Sequence, residues 1–326
     1  MIEVVELLVG AVLVVGTWLS VLRTVFIPRQ HSSRVMRSAV WCVRWTGSVV
    51  ARRLPATLGE RVMDLCAPLA LYLVVVCWLA ASLTGFALLA PDVPLSLVGL
   101  QDFLLLRTNG LIAVVAWLSV ALVLAAFTLN LFRVTAAYSR RELVVARMSV
   151  HEVRATEAER VLADHLRLGS RDHLDQFFAQ WTEWMADIRA THTGYPALTV
   201  YRPATDLCWL DAAVLVLDAA ALTEAVASQW APPSTRSVLE AGAVCLPTLA
   251  RQVGVRLPRP VVSLEGREEC GFEQTVKVAV DAGLPMERDQ HEAWSEFQSW
   301  RTRYAPYAVA MSTRLCYLWP RSGSCD

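Results

Sequence analysis

The chain has 326 residues, of which 55% are hydrophobic and 18% are charged. Soluble domains carry about a quarter charged residues, so this composition excludes a disordered chain and argues against a fully soluble protein. Lys and Arg together number 30, and so do Asp and Glu, which leaves a formal net charge of zero. A neutral chain has no general attraction for a polyanion, and we therefore expect no nucleic-acid partner.

Three long apolar runs are the strongest signal in the sequence. They cover Ile2–Leu22, Cys66–Ala90 and Leu111–Phe132, and each approaches or exceeds the ~20 residues that cross a ~30 Å hydrocarbon layer as a helix. The first run opens with Met-Ile-Glu-Val-Val-Glu. That opening lacks the basic start of a signal peptide, and the run lacks a small-residue cleavage site. The sequence thus predicts three retained membrane-spanning helices.

The arginines are distributed unevenly around these runs. The connection between the second and third runs offers only Arg107, beside Asp92 and Asp102. The other two flanking segments are rich in arginine: Arg23, Arg29, Arg34, Arg37, Arg44, Arg52, Arg53 and Arg61 after the first run, and Arg133, Arg140, Arg141 and Arg147 after the third. Basic loops stay in the cytoplasm. The pattern predicts a plasma-membrane protein with its N-terminus outside and residues 134–326 in the cytoplasm.

The segment between the first two runs has a helical character of its own. Val35–Arg53 combines valines, arginines and the two tryptophans Trp41 and Trp45. One interpretation is a helix in the membrane interface, with the indoles at headgroup depth and the arginines on anionic lipid. The other interpretation is a cytoplasmic helix that packs on the soluble part of the chain. The sequence leaves both open.

After the third run the pattern becomes soluble and helical. The fold class that we expect is mainly α: three spans with a short re-entrant or outer loop, followed by an all-α cytoplasmic domain. We predict a channel-like membrane domain over 1–133, a helical domain over 134–319 and a disordered tail over 320–326.

Apolar spacing and interrupting charges predict the helices of the C-terminal part. Leu207–Ala227 is very apolar, but Asp211, Asp218 and Glu224 interrupt it, which favours a buried core helix over a fourth span. Ser234 is expected to cap the helix after it, and Pro306 to kink the last one. The other predicted helices are 144–168, as a continuation of the third span, an amphipathic helix ending at 193–196, 271–283 and 287–318.

The short outer connection holds the most suggestive motif. Ser96-Leu97-Val98-Gly99-Leu100 partly matches the Thr-Val-Gly-Tyr-Gly loop whose carbonyls replace the hydration shell of potassium in a selectivity filter. Glycine suits such a strained backbone because it has no Cβ. These five residues are our pore or filter candidates, although an ordinary outer loop has a similar composition.

The chain resembles a bacterial family of ion-channel-like membrane proteins, similar to two-pore-domain potassium channels. The resemblance covers most of the chain. It rests on Val21-Leu22, Pro28, Trp78, Gly85-Phe86-Ala87-Leu88, Gly110-Leu111, Tyr138-Ser139-Arg140-Arg141-Glu142, Trp181, Trp184, Ala186-Asp187, Thr191-His192-Thr193, Tyr195-Pro196-Ala197-Leu198, Tyr201-Arg202, Trp209-Leu210, Leu217-Asp218-Ala219-Ala220-Ala221-Leu222, Ala293-Trp294, Phe297, Trp300-Arg301 and Tyr304. The resemblance implies two membrane helices around a re-entrant pore loop, an N-terminal span and a helical cytoplasmic domain.

Two functions follow from this resemblance and its departures. Relatives carry a pore helix rich in Ser and Thr and then Thr-Leu-Gly-Phe, whereas here the connection is shorter and holds Pro91 and Pro94. The first function is a weak or non-selective channel for potassium or another monovalent cation, with a cytoplasmic regulatory domain. It demands a homo-oligomer, because one subunit cannot surround an ion. The alternative is a non-conducting, membrane-anchored interaction or sensor protein.

Several polar residues are further candidates for function. Asn130, near the cytoplasmic end of the third run, could bond across an oligomer axis or line a pore. Arg140 and Arg141 follow this run closely and could couple the soluble domain to the pore helix. Each also fits an ordinary interfacial role. A second candidate site in the soluble part, which equally fits a structural turn, comprises His192, Tyr195 and Arg202.

Catalytic chemistry finds little support in the sequence. Asp211 and Asp218 share a helix face, but their spacing is about 10 Å along the axis, so ion pairs with arginines are the simpler expectation. No phosphate loop, nucleophile elbow or HExxH motif occurs, and we expect no enzyme, cofactor or metal. None of the eight cysteines forms a CxxC pair, which is typical of small buried hydrophobes in a reducing compartment.

Overall fold

The computed structural model describes residues 2–25, 34–90, 111–151, 157–203, 207–257 and 269–315. Within those ranges the chain is helical and contains no β-strand. The predicted filter residues 96–100 and the predicted tail 320–326 lie outside the described residues. The all-helical expectation is therefore confirmed for the part of the chain that is described.

The chain divides into two compact units. The first comprises Met1–Ala137 together with Thr193–Tyr201, and the second comprises Tyr138–His192 with Arg202–Asp326. The inclusion of Thr193–Tyr201 in the first unit was not anticipated by the sequence. A short 3₁₀ helix in that segment, Pro196–Thr199, packs against the helices of the first unit.

Four helices of the described residues contribute to the first unit, and three of them are long and apolar enough to cross a membrane. They are α1 Ile2–Val25, α2 Arg34–Ala51, α3 Ala56–Leu88 and α4 Leu111–His151. The candidate spans are Val4–Val25, Thr57–Leu88 and Leu111–Met148. The three predicted spans are confirmed as helices of the required length and apolarity, and they indicate a membrane protein.

Helix α3 begins ten residues before the predicted span because α2 packs against its first half. Gly47 of α2 faces Cys66 of α3 so closely that a Cβ on Gly47 would lie 2.4 Å from the Cys66 Sγ. The Cys66 thiol also approaches the Val43 carbonyl at 3.9 Å. The helix that both interpretations assume is confirmed, and the partners described for it are α3 and the 3₁₀ helix Pro196–Thr199.

Glycines allow α1 and α3 to approach closely near the C-terminal end of α3. A Cβ on Gly10 would lie 2.8 Å from the Gly85 carbonyl oxygen, and one on Gly85 would lie 2.8 Å from the Val14 Cγ2. Small residues at such crossings let membrane helices approach closely, so that backbone and side chains pack without the hydrophobic effect. Gly16, by contrast, faces open space.

Hydroxyl and indole groups bond to one another where α1, α3 and α4 meet. The Trp18 indole donates to the Ser119 hydroxyl at 3.0 Å, and the Ser82 and Ser119 hydroxyls are 3.3 Å apart. The Trp78 indole donates to the Ser20 hydroxyl at 3.1 Å. In an apolar surrounding each polar side chain needs such a partner, and these bonds satisfy the groups inside the bundle.

The second unit is built around helix α7, Trp209–Val226. Sixteen of its residues are buried, which confirms the prediction of a core helix over 207–227. It is enclosed by α5 Ala158–Leu168, α6 Arg171–Gly194, α8 Pro233–Gln252, α9 Glu269–Asp281, α10 Gln290–Arg301 and α11 Ala305–Leu315, and by the end of α4 through Val145 and Met148. An apolar helix with a few charges is stable here because other helices cover it on all sides.

Two local predictions are wrong in detail. The helix after α7 begins at Pro233, its N-cap residue is Pro232, and the Ser234 amide donates to the Asp175 carboxylate at 2.9 Å. The cap is therefore supplied by another helix and not by Ser234. Pro306 lies in the first turn of α11, where its missing N–H costs nothing, so the predicted long helix is two helices.

The described cysteines are free thiols, as expected, but not all are buried. Cys66, Cys208 and Cys245 are buried, whereas Cys42 and Cys77 are exposed. Both exposed cysteines lie on helices of the first unit. Cys77 lies in the candidate span Thr57–Leu88, where a small apolar side chain suits an outer face in contact with lipid, whereas Cys42 lies on α2, outside the candidate spans.

Candidate functional site

Helix α4 carries a buried arginine into the core of the second unit. Arg141, Val145 and Met148 follow one another at helical spacing, and all three are buried. The Arg141 side chain has an exposed fraction of 0%. Arginine is rarely buried without a partner, so its surroundings define the first candidate site.

The guanidinium of Arg141 lies among acceptors and aromatic rings. Its Nε donates to the Glu142 carboxylate at 2.7 Å, and its Nη1 lies 3.3 Å from the His192 Nε2. The guanidinium carbon is 5.1 Å from the centre of the Tyr138 ring and 5.7 Å from that of Trp209. A buried charge that is paired, hydrogen-bonded and covered by aromatic faces can be accommodated in a core.

The hydrogen bonds determine which nitrogen of His192 carries its proton. Arginine can only donate, so the His192 Nε2 accepts from Arg141 and the proton of the neutral ring is on Nδ1. The Nδ1 lies 3.2 Å from the Thr191 hydroxyl, which itself donates to the Asp187 carbonyl at 2.7 Å. Arg141 is thus connected to the last turns of α6 by a directed series of hydrogen bonds.

Burial controls the protonation of this cluster. Burial and the Arg141 charge hold the pKa of His192 well below its usual value, which agrees with a neutral ring. Burial raises the pKa of the Cys208 thiol to about 12, and burial raises the pKa of Asp211 to about 6. A thiol that stays protonated is a poor nucleophile. The arrangement therefore suits a structural centre that joins helices better than a catalytic one.

Only some of the predicted site residues contact one another in the structure. Arg141 and His192 meet, whereas Arg140 is exposed and lies 3.5 Å from the Asp187 carboxylate. Arg202 belongs to the second unit and its carbonyl accepts the Tyr138 hydroxyl at 3.2 Å. Tyr195 belongs to the first unit, where it precedes the 3₁₀ helix. The predicted trio of His192, Tyr195 and Arg202 is thus divided between the two units.

Asn130 is buried inside the first unit, with 1% of its surface exposed. Within the described ranges, neither its amide nitrogen nor its carbonyl oxygen has a hydrogen-bond partner. The side chain is enclosed by its own chain in this structure. A role for it across an oligomer axis or along a pore stays a prediction.

In the sequence, Tyr138, Glu142, Trp184 and Trp209 serve only as carriers of the resemblance and are not connected with Arg141. Trp184 donates from its indole nitrogen to the Arg141 carbonyl at 3.3 Å, and the His192 and Trp209 rings are 5.2 Å apart. A helical phase continued from the third span would have placed Arg141 on the same face as Val145. Glu142 and Tyr138 are neighbours in sequence, whereas Trp184, His192 and Trp209 lie too far away for any local pattern to identify them.

A second buried carboxylate supports the predicted pairing with arginine. Asp218 of α7 accepts the Tyr304 hydroxyl at 2.6 Å and lies 3.3 Å from the Arg301 Nε. The pKa of Tyr304 is raised well above its usual value by burial and by Asp218. The tyrosine therefore remains a hydrogen-bond donor that fixes α11 to α7.

The comparisons with known proteins give no information on the role of the candidate site. No protein family, no curated protein and no solved structure matches this chain. Among the residues that the structure describes, no group of three or more His, Cys, Asp or Glu could hold a metal ion.

Proposed function

We propose that this chain is a non-conducting, membrane-anchored interaction or sensor protein. The observation that carries the proposal is α4, a single helix of 41 residues that contributes Leu111–Ala137 to the first unit and Tyr138–His151 to the second. A helix of that length extends about 60 Å, twice the thickness of the hydrocarbon layer. One element thus serves as a membrane span and as a core helix of the other unit.

The chemistry of the spans supports an anchor. Several described polar side chains of α1, α3 and α4, such as Trp18, Ser82 and Ser119, are hydrogen-bonded to one another inside the bundle. The outer face of these helices is formed mainly by large apolar side chains, including Val4, Leu8, Val12, Leu69, Leu118 and Leu122. Apolar side chains facing outwards suit contact with lipid, whereas ion conduction uses oxygen ligands or charged rings.

The orientation in this proposal follows from the arginine asymmetry. The N-terminus is outside, and the second unit is in the cytoplasm. Surface labelling of intact cells tests it with cysteines engineered at Asp102 and at Met286, which is 54% exposed, in a background with its native cysteines replaced. We expect the first cysteine to react with an impermeant reagent and the second to react only after lysis. The reverse pattern would overturn the orientation.

A flux assay separates the proposal from the channel hypothesis. Purified protein is reconstituted into liposomes at high density under a potassium or a sodium gradient, and an added ionophore shows that the vesicles are tight. We expect flux equal to that of empty vesicles. Potassium-selective flux that Gly99→Ala abolishes would establish a filter at 96–100 and overturn the proposal.

Interrupting α4 between the units tests its dual role. Ala136 is exposed on α4, so Ala136→Pro breaks the helix without filling a core, and Ala136→Ser is the matched control. Amide hydrogen exchange of the full chain should become faster in Trp209–Val226 for the proline variant only, because α4 packs in the same core as α7. Unchanged exchange in Trp209–Val226 would show that α4 connects the two units without stabilising the core of the second.

A further inference from the structure

The outward face of α2 carries an aromatic and basic stripe. The stripe consists of Arg37, Trp41 and Trp45 on α2 and of Arg52 in the turn directly after the helix, and these residues follow one another at four, four and seven residues. Trp41 is 53% exposed and Trp45 is 57% exposed. Their rings stack at 6.3 Å with an angle of 8° between planes. Two exposed indoles side by side are unfavourable in water, which indicates that something covers them.

The opposite face of α2 is occupied by α3. Gly47 faces Cys66, and Gly59 of α3 faces the Ala51 carbonyl at the turn between the two helices. The stripe therefore points away from the helix to which α2 is bound.

Helix α3 gives the depth of the stripe. Its far half packs on α1, where Gly85 meets Gly10, and its near half packs on α2. From Cys66 to Leu88 a helix rises by about 33 Å, close to the thickness of the hydrocarbon layer. The exposed charges of α3, which are Glu60, Arg61 and Asp64, all precede Cys66. Cys66 thus marks the boundary of the hydrocarbon.

Cys66 lies against Val43 and Gly47 of α2, and Trp41 and Trp45 lie on either side of Val43 in the sequence. They are therefore at the level of the membrane interface. Tryptophan is enriched at that level because its ring is apolar and its N–H is polar.

The charge around the stripe has one sign. From Arg34 to Gly59 the chain contains five arginines and neither Asp nor Glu. Each arginine close to an anionic membrane surface adds about 1 kcal/mol of attraction. A second copy of the same surface would instead be repelled. Charge complementarity thus favours an anionic lipid surface over self-association.

We propose that the stripe binds the headgroup layer of the membrane and prefers anionic phospholipid. The two indoles insert at the level of the headgroups. Arg37, about 9 Å from Val43 towards the hydrocarbon by helix rise, extends its long side chain back to the lipid phosphates, and Arg52 pairs with phosphates on the polar side of the boundary. The helix contacts the bilayer with one face while its other face remains on α3. This inference is independent of whether the protein conducts ions.

Fluorescence quenching by brominated lipid tests the position of the indoles. The full chain is reconstituted in bilayers that contain dibromo-phosphatidylcholine with bromines high on the acyl chain. We expect Trp41→Phe/Trp45→Phe to reduce the lipid-quenched signal about twofold, since interfacial tryptophans contact the upper acyl chain. The control Trp294→Phe/Trp300→Phe, in the second unit, should not reduce it. An equal quenched signal in wild type and the first variant would show that protein covers the stripe.

The lipid preference is tested with the charged counterpart, dibromo-phosphatidylglycerol. Wild type should be quenched more strongly by phosphatidylglycerol than by phosphatidylcholine, and added salt should reduce the difference. Arg37→Gln/Arg52→Gln should remove the difference, whereas the control Arg251→Gln/Arg256→Gln should keep it. Equal quenching of wild type by both lipids, or a preference that survives the first double substitution, would overturn the anionic preference.

Discussion

The two units of this chain use different means to hold helices together. In the first, α1 and α3 meet through Gly10 and Gly85, and their polar bonds join small hydroxyls and indoles. In the second, large aromatic side chains fill the core and buried ions are paired, as Arg141 is with Glu142. The difference follows from the solvent. Water drives apolar surface into a core, whereas lipid does not, so close backbone approach replaces volume.

Removing a core aromatic from the second unit should have the largest effect. Trp181 is 1% exposed and its ring centre is 4.8 Å from that of Trp184. Trp181→Ala should lower the free energy of unfolding by about 3–5 kcal/mol through the lost burial and the cavity. The measurement is thermal unfolding of the full chain in detergent. Gln180→Ala, at an exposed neighbour, is the control, and equal shifts for both would contradict the packing described for α6.

Two adjacent arginines of α4 should differ sharply. Arg141→Met removes the charge that pairs with the buried Glu142 carboxylate, which should cost about 3–5 kcal/mol. The Arg140 side chain is 58% exposed, and Arg140→Met should cost less than about 1 kcal/mol. Amide exchange should become faster in Thr191–His192 and around Trp209 for the first variant only. Similar effects of the two would mean that Arg141 is not the organising group of the second unit.

The sequence predicted elements well and partners poorly. Helix α7 was predictable because Asp211 and Asp218 interrupt an otherwise apolar run, and such charges are tolerated in a protein core only with partners. That Arg301, 83 residues away, is the partner of Asp218 depends on the tertiary fold. No periodic pattern contains that information, because periodicity reports which face of a helix is buried and not what lies opposite.

The candidate site shows the same limit. His192 was predicted from its position at a helix end, and Arg141 from its position after a span, but nothing in the sequence joined them. The expected partner Tyr195 belongs instead to the first unit.

A Cβ added where α1 and α3 cross, at Gly10 and Gly85, should destabilise the first unit. Gly85→Ala places a methyl group within 2.8 Å of the Val14 Cγ2, and the overpacking should cost about 1–3 kcal/mol. Gly16→Ala, on the same bundle but facing open space, should be neutral or slightly stabilising, because alanine favours the helix. Thermal unfolding in detergent compares them. A neutral Gly85→Ala would show that α1 and α3 do not cross at this point.

The second unit should lose stability in acid because of His192. Its pKa is lowered in the folded protein, so the unfolded chain binds the proton more readily, and stability falls as the pH drops below the ordinary value of about 6.5. His192→Gln should weaken this fall. Unfolding midpoints between pH 5 and 8 provide the measurement, and an unchanged slope in the variant would exclude His192 as its source.

Asp211 should act in the opposite direction. Burial raises its pKa to about 6, so the folded protein holds the proton more firmly than the unfolded chain. The stabilisation that this raised pKa gives the folded protein is therefore fully present below the pKa of the unfolded chain, about 3.9, and is lost as the pH rises through about 6. Asp211→Asn should improve stability near pH 7 relative to wild type. A variant with the same pH profile as wild type would place Asp211 in a more solvated position.

The smallest expected effect distinguishes two kinds of polar residue in the spans. Ser119 accepts from Trp18 and bonds with Ser82, so Ser119→Ala should destabilise the first unit by about 1 kcal/mol. Asn130 is buried with both amide atoms unpartnered, and a buried unpaired amide is itself unfavourable. Asn130→Leu, of similar shape, should therefore leave the unfolding temperature unchanged or raise it. If Asn130 instead bonds across an oligomer axis or lines a pore, the substitution will lower the unfolding temperature and change the oligomer distribution in detergent. Opposite signs for Ser119→Ala and Asn130→Leu would show that only hydrogen bonds completed within the bundle stabilise it.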